Sequence, residues 1–524
     1  MNHIELFAGC GGLCLGLTDA GFDLLLANEL SPMASETFAY NILGEDLNLS
    51  KTPRKTLWLS SSYSRDAMSS RLREDPRTYP EDFRQCEIDD AGKSLKGSLV
   101  VGNIHHLNKW LEQHPQAVEY LRECGGKGGV DLVSGGPPCQ SFSLAGLREY
   151  ENEKNSLPWA FAKFAGMVRP KVVLLENVTG ILRPFTVDGK KAYAWFEVCR
   201  AFAELDYVTL PLHVNAKFAG VAQNRPRFVM IGVRRDVLEQ LLPALNYREA
   251  GLFVMPMRFQ ELVKVGKETD LEDLPVLDLN RGSDKDLEAF SDTFLESLYV
   301  RRDHFVSVEE AIGDLAQVEP LPPSSYVRNL NALFKGKTAF APQELTNDRK
   351  ILSQPRVQRR FRIYQNVSEL ETACRREVWE FLSGKREVIT DYLWSRMKRF
   401  SYLVGEELQP RMFFDKSEFE AYLQAHSTKK QTQKALIARE PAPAALTIPD
   451  DACHYKDLRT LSAREMARIQ SFPDNFVFRS KETTGGSSRK FEVPVYTQIG
   501  NAVPVLLGRA LGQAVASLLR RLNQ

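Results

Sequence analysis

Short apolar runs alternate with glycine turns and amphipathic stretches through the first half of the chain. Residues 4–8 form an apolar run that ends in the turn Gly9-Cys10-Gly11-Gly12. Residues 13–20 then carry apolar positions at helical spacing, and 24–27 is a second buried strand. Further strand-like runs fall at 99–101, 130–134, 172–175, 208–214 and 228–233, with helical stretches such as 159–168 and 193–205 between them. This alternation predicts an α/β protein with a doubly wound, mostly parallel sheet. The stretch 503–522 predicts one amphipathic helix with Leu507, Leu511, Val515, Leu518 and Leu519 on a face.

Two stretches break the rhythm. Residues 45–96, rich in Ser, Arg and Pro, read as an inserted surface segment. From about 236 to 445 the βα alternation is lost. Its first part, 268–296, is acidic. The run from Arg349 to Arg362 holds six basic residues and no acid.

Composition narrows the class. The chain has 524 residues, 43% hydrophobic and 26% charged, with a net charge of +1. That excludes a disordered or fibrous chain, and no transmembrane span or secretory signal is expected. A cytoplasmic chain follows. Eight scattered cysteines without a CxxC pair predict reduced thiols and no metal site.

Five polar motifs sit at the ends of the apolar runs. The turn Gly9, Gly11, Gly12 lets backbone approach a nucleotide, and Glu29 lies where an acid can hold ribose hydroxyls. Cys14 breaks the GxGxxG pattern, which disfavours a dinucleotide and leaves a single nucleoside or a plain turn. Pro137 and Pro138 stiffen the chain before Cys139, as a nucleophile's perch requires, although a buried structural thiol fits too. Glu176 ends the run 172–175 and suits an acid beside a nucleophile, or a helix cap. Arg225 and Arg227 precede a strand and suit a clamp on an oxygen, or a solvated turn. The segment from Gln498 to Pro504 is a polar turn ahead of the last helix.

In this order the segments resemble the DNA (cytosine-5) methyltransferase family. The match runs through Phe7-Ala8-Gly9-Cys10-Gly11-Gly12, Pro137-Pro138-Cys139-Gln140, Glu176-Asn177-Val178, Gln223-Asn224-Arg225-Pro226-Arg227, the stretch from Ser462 to Pro473, and Gly500-Asn501. The resemblance implies a Rossmann-like fold and S-adenosylmethionine as cofactor. Phe7, Gly9, Gly11, Gly12, Glu29, Asn103, Ile104, Pro137, Asn501 and Val503 map to its binding positions. Asn103 stands where the family usually has an acid. It also implies that Cys139 attacks carbon 6 of a flipped cytosine, Glu176 engages ring nitrogen 3, and Arg225 and Arg227 hold the base. The resemblance also implies that Gln140 and Ser143 lie near the substrate backbone.

The resemblance further implies a catalytic domain at 1–320, a target-recognition domain at 321–445, and a segment 446–524 that returns to the catalytic domain. Duplex DNA is the expected substrate, with a restriction or phage-defence system as context. Within the recognition region the basic run supplies Arg356, Arg359, Arg360 and Arg362 as DNA contacts, with Phe361 and Tyr364 placed to pack near bases. An RNA cytosine-5 methyltransferase and a catalytically silent DNA-binding protein on the same fold remain as alternatives.

Overall fold

The computed structural model describes the chain apart from residues 49–53, 60–85, 139–156, 188–189, 281–288, 301–303, 429–432, 445–447, 450–451, 487–491 and 524. The chain opens with β1 (Asn2–Leu6), α1 (Gly12–Asp19), β2 (Asp23–Glu29) and α2 (Pro32–Phe38). Strands β3 (Thr56–Trp58) and β4 (Ser98–Val101) follow, then α3 (Ile104–Gln113) and α4 (Pro115–Cys124). Next come β5 (Leu132–Gly135), α5 (Leu157–Val168), β6 (Val172–Val178) and a hairpin, β7 (Pro184–Val187) with β8 (Lys190–Tyr193). Helix α6 (Ala194–Glu204), β9 (Tyr207–Asn215) and β10 (Pro226–Arg234) lead into α7 (Arg235–Leu241), α8 (Tyr247–Lys264) and β11 (Leu277–Asp278).

Among the described residues the main sheet has nine strands in the order β11-β9-β10-β6-β5-β1-β2-β4-β3, and only β10 runs against the rest. Both faces are covered, which is why the strands read as continuous apolar runs. In β6, Val173 and Leu175 enter one core with Phe161, Phe164 and Phe202, while Val172 and Leu174 enter the other with Leu511 and Val515. The order reverses around β1, with β2 on one side and β5 on the other. Ligands of open α/β sheets bind beyond the carboxyl ends of strands at such a reversal.

The segment 45–96 is not an appended surface loop in its described parts. Its β3 pairs with β4, and Leu57, Leu59, Ile88 and Leu95 are buried in the core. A carboxylate oxygen of Glu45 accepts from the backbone N–H groups of Lys55 and Thr56, which fixes the strand's start.

Helices α9 (Val308–Ile312) and α10 (Ser325–Leu333) follow. They pack in one core with α15 (Ala463–Ile469), α16 (Val495–Asn501) and the aromatic trio Phe472, Phe476 and Phe478. The expected division at 320 therefore cuts through a packed unit. A separate helical core starts later, with α11 (Pro355–Ser368), α12 (Thr372–Leu382), α13 (Asp391–Met397), the hairpin β12 (Tyr402–Val404) with β13 (Gln409–Arg411), and α14 (Lys416–Ala425).

The last helix, α17 (Val505–Arg520), lies on α1 with little room between them. A Cβ at Gly16 would stand 2.5 Å from the Val505 carbonyl oxygen, and one at Gly512 would stand 2.7 Å from Ala20 Cβ. Only glycine fits either place. Arg509 and Asp19 close the contact with a 2.6 Å ion pair. The stretch 495–520 is long and apolar enough to cross a membrane, yet 67% of its apolar window is buried in the fold, as in a core helix.

Two histidines are sealed in the interior. Burial pulls the pKa of His3 down to about 3, and burial followed by the Arg459 guanidinium does the same to His454. The unfolded chain binds a proton on each below about pH 6.5, whereas the fold resists until about pH 3. The stabilisation is full above pH 6.5 and drains away as pH falls through that window. The His3→Gln variant is expected to lessen the pH dependence of the unfolding free energy by up to ~1.4 kcal/mol per pH unit between pH 6 and 4. Urea titrations at several pH values measure it, and parallel slopes would refute it.

Candidate active site

The glycine turn leaves β1 through two residues of left-handed backbone. Phe7 has φ 56°, an uncommon value for a side chain of its size, and Gly9 has φ 55°. Gly11, at φ 98°, forms the N-cap of α1. The space beside Gly9 is open, since a Cβ there would meet nothing within 4 Å. Gly12 is closed instead, because a Cβ would stand 2.5 Å from the carbonyl oxygen of Val503. The turn thus keeps one open side and one side sealed by the C-terminal segment.

Glu29 ends the neighbouring strand and ties the turn together. One carboxylate oxygen accepts the Gly9 N–H at 2.8 Å and the other accepts the Ser31 N–H at 2.8 Å. Beyond it, Asn28 donates its amide to the carbonyls of Val100 and Gly102. That brings Asn103 to the same rim, where its side-chain oxygen caps α3 by accepting from His105 N–H at 2.9 Å. Ile104 is buried just behind it. Asn501 is exposed at the end of α16, and Val503 is half-buried beside the turn. The sequence offered no signal for Asn28, whose partners lie more than 70 residues away.

A second group of residues lies at the ends of β5 and β6. Glu176 Oε1 and Arg227 Nε form a 2.8 Å ion pair, with about a tenth of either side chain exposed. The antiparallel register sets Arg227 opposite Val178 and Val229 opposite Glu176, so the pair meets on the diagonal between strands. Gly136 passes close by, since a Cβ on it would stand 3.1 Å from Glu176 Oε2. Asn177 donates its amide to the Pro137 carbonyl at 3.0 Å. The strand that carries Glu176 therefore also anchors the turn that runs into Cys139. Cys139, Gln140 and Ser143 themselves lie outside the described residues. Asn177 is the anchor that sequence reasoning placed only inside a motif string.

Arg225 departs from expectation. It is 3% exposed and donates Nη2 to the carbonyls of Gly500 at 2.9 Å and Ala502 at 3.1 Å. Burial, and then the nearby Arg227, pull its pKa down to about 9. Its guanidinium joins the start of β10 to the C-terminal segment instead of reaching toward a base.

The basic run departs too. Phe361 and Tyr364 are buried in the helical core and cannot pack near bases. Arg359 bonds to the Gly405 carbonyl, to Glu406 at 3.3 Å and to His426 Nε2 at 3.3 Å. Of the four arginines expected to meet DNA, Arg356 is exposed, while Arg360 and Arg362 are half-buried on α11.

In and just before the stretch from Ser462 to Pro473, three arginines are spent on internal bonds. Arg459 pairs with Asp457 at 2.6 Å and Glu465 at 2.7 Å, and Arg468 pairs with Asp314 and Asp474. Arg464, fully buried, donates to the carbonyls of Thr346, Pro473 and Phe476. Removing Arg459 or Arg468 leaves acids buried without partners, and removing Arg464 orphans buried carbonyls, so their role is to build.

The chain is 24% identical over 525 residues to the Type II methyltransferase M.DdeI of Desulfomicrobium norvegicum, covering 100% of this chain and 90% of that one. It is 23% identical over 522 residues to the Type II methyltransferase M.XorII of Xanthomonas oryzae pv. oryzae, covering 99% and 85%. A prophage-encoded protein of Escherichia coli described as a DNA modification methyltransferase shares the fold, with TM-score 0.52, 17% identity and 99% coverage of both chains. The sequence model of C-5 cytosine-specific DNA methylases matches residues 1–54 and 126–517, which hold both the open glycine turn and the Glu176–Arg227 pair; the chain belongs to that family.

Proposed function

We propose that the chain methylates carbon 5 of cytosine within a specific duplex DNA sequence, with S-adenosylmethionine as methyl donor and a restriction or phage-defence system as its cytoplasmic context. The observation that carries this reading is the Glu176–Arg227 pair beside the Gly136-Pro137 turn that leads into Cys139.

The residues at the β1–β2 rim suit the cofactor. The open side of Gly9 admits a ligand against the backbone, and the Glu29 carboxylate at the strand end suits ribose hydroxyls. When bound there, S-adenosylmethionine supplies an electrophilic methyl group. Phe7, Asn103, Ile104, Pro137, Asn501 and Val503 are the other expected neighbours. Cys139 adds to carbon 6 of the flipped cytosine as a thiolate, which makes carbon 5 nucleophilic. Glu176 protonates or hydrogen-bonds ring nitrogen 3 and so stabilises the charge that develops on the ring. Arg227 holds Glu176 in place through the diagonal ion pair. After methylation water takes the carbon 5 proton, the electron pair left behind re-forms the carbon 5–carbon 6 double bond, and the carbon 6–sulfur bond breaks to release Cys139 as the thiolate.

Transfer of labelled methyl groups to duplex DNA but not to transfer RNA is the test. Label appearing only in RNA, or in neither, would overturn the reading. A second measurement tests the cofactor site alone. A hydrogen bond to a charged partner is worth about 1.5–3 kcal/mol, roughly twice a neutral one. Glu29→Ala is therefore expected to weaken S-adenosylmethionine binding by about 10-fold to 100-fold, and more than Asn103→Ala does. Calorimetry that finds equal or no losses would count against the site.

A further inference from the structure

Three asparagines meet where the strand that carries Arg227 begins. Strand β9 ends at Asn215, and β10 starts at Pro226 directly opposite it. Asn215 is 2% exposed. Its side-chain oxygen accepts the backbone N–H of Lys217 at 3.2 Å and that of Arg225 at 3.1 Å. Its amide nitrogen donates to the side-chain oxygens of Asn224 and Asn280, each at 2.7 Å. An asparagine side chain offers two donor hydrogens and two acceptor sites, so this one is fully engaged. An aspartate would keep the accepted bonds but set its charge against two oxygens, and a leucine would keep none of the four.

These bonds join three parts of the chain. Lys217 lies at the opening of the loop 216–225, and Asn224 and Arg225 lie at its close. Asn280 follows β11, which is held on β9 by the Leu279 N–H to the His213 carbonyl at 2.8 Å and by the 2.9 Å contact of His213 Nδ1 with Asp278. The acidic stretch 268–296, to which the sequence gave no role, thus supplies one side of a clasp on the mouth of this loop. A loop of this length does not fix the register of its strands, and a slip by one residue turns every side chain to the other face. Arg227 stands two residues past Arg225, and its bond to Glu176 depends on the present register of β10 against β6.

We propose that Asn215 is a positioning residue for methyl transfer: it fixes where β10 begins and so holds the Arg227 guanidinium against Glu176. The inference rests on the DNA-methylating reading above. The effect of Asn215 passes through Arg227 to the carboxyl that engages ring nitrogen 3.

The test uses the full chain and a duplex oligonucleotide that the wild type methylates, with single-turnover transfer measured at saturating S-adenosylmethionine and DNA. Asn215→Ala is expected to lower the transfer rate by about 10-fold to 100-fold, as displacement of a group at the reacting centre does. Affinity for S-adenosylmethionine should stay within about three-fold, since the open glycine turn and Glu29 lie on β1 and β2. In an Arg227→Ala background the same change should cost no more than about two-fold, because residues that act as a unit are not additive. Asn224→Ala removes one acceptor from the exposed side of the cluster and should give a smaller loss with the same pattern. It takes the place of Asn215→Ala in the cycle if circular dichroism finds a variant with Asn215→Ala unfolded. A full rate in Asn215→Ala, or in Asn224→Ala where it stands in, overturns the proposal. So does a loss that is undiminished in the Arg227→Ala background, or one matched by an equal loss of cofactor affinity, since either makes Asn215 a residue of the fold alone. If the wild type methylates no duplex, the functional reading itself has failed and this inference falls with it.

Discussion

Cys139→Ala is expected to transfer no measurable methyl group while binding S-adenosylmethionine with wild-type affinity. The two effects separate because most of the residues assigned to the cofactor stand on other strands than the thiol, Pro137 excepted. The glycine turn and Glu29 belong to β1 and β2, and the turn into Cys139 leaves β5. Without the thiolate, carbon 5 of cytosine is too weak a nucleophile to take the methyl group. The wild type should trap duplex DNA that carries 5-fluorocytosine, because fluorine cannot leave carbon 5 as a proton does. The adduct survives denaturing electrophoresis, and the variant should give none. An adduct in the variant would move the nucleophile to another residue.

Glu176→Gln is expected to lower the rate of methyl transfer by roughly 10²-fold to 10⁴-fold, the usual worth of a positioned general acid. Glutamine keeps the shape and can still bond to ring nitrogen 3, but it has no proton to give. Arg227→Ala should act on the same group from behind. It leaves a carboxylate buried without its partner, a loss of about 3–5 kcal/mol in comparable pairs. The fold should therefore weaken most in Arg227→Ala and less in Glu176→Gln, whose amide oxygen still accepts from Arg227 though it no longer balances its charge. Single-turnover transfer and urea unfolding on the two variants check both halves. A Glu176→Gln enzyme at full rate would remove the carboxyl from the chemistry.

The catalytic half of the molecule was legible because its signals are local. Apolar runs ending in Gly9 or Glu176 mark strand ends, and strand ends place ligands in an open sheet whatever lies elsewhere. The parts misread depend on distant partners. Arg225 and Arg227 look alike in sequence, yet Arg225 is claimed by carbonyls 275 residues away and Arg227 by a carboxylate on the next strand. Strand β3 has three residues within a polar segment, too short to show a period, and it is a strand only because β4 lies beside it. Phe361 and Tyr364 share a helix with seven basic and amide side chains, and which face is buried is fixed by α12 and β12, not by charge. A basic run marked charge correctly and orientation wrongly.

The seam between α1 and α17 also sets a clock for biosynthesis. Asp19 and Arg509 are 490 residues apart. At about 5–20 residues per second, the ribosome needs roughly 25–100 s between making one and the other. Throughout that interval the glycine face of α1 has nothing to pack on, and the sealed side of the turn at Gly12 is open. A nascent chain therefore carries the glycine turn with its Gly12 side open until the segment around Val503 has emerged. A transcript broken upstream of α17 yields a chain with apolar surface bared on α1, a client for chaperones and proteases and not a weakened enzyme.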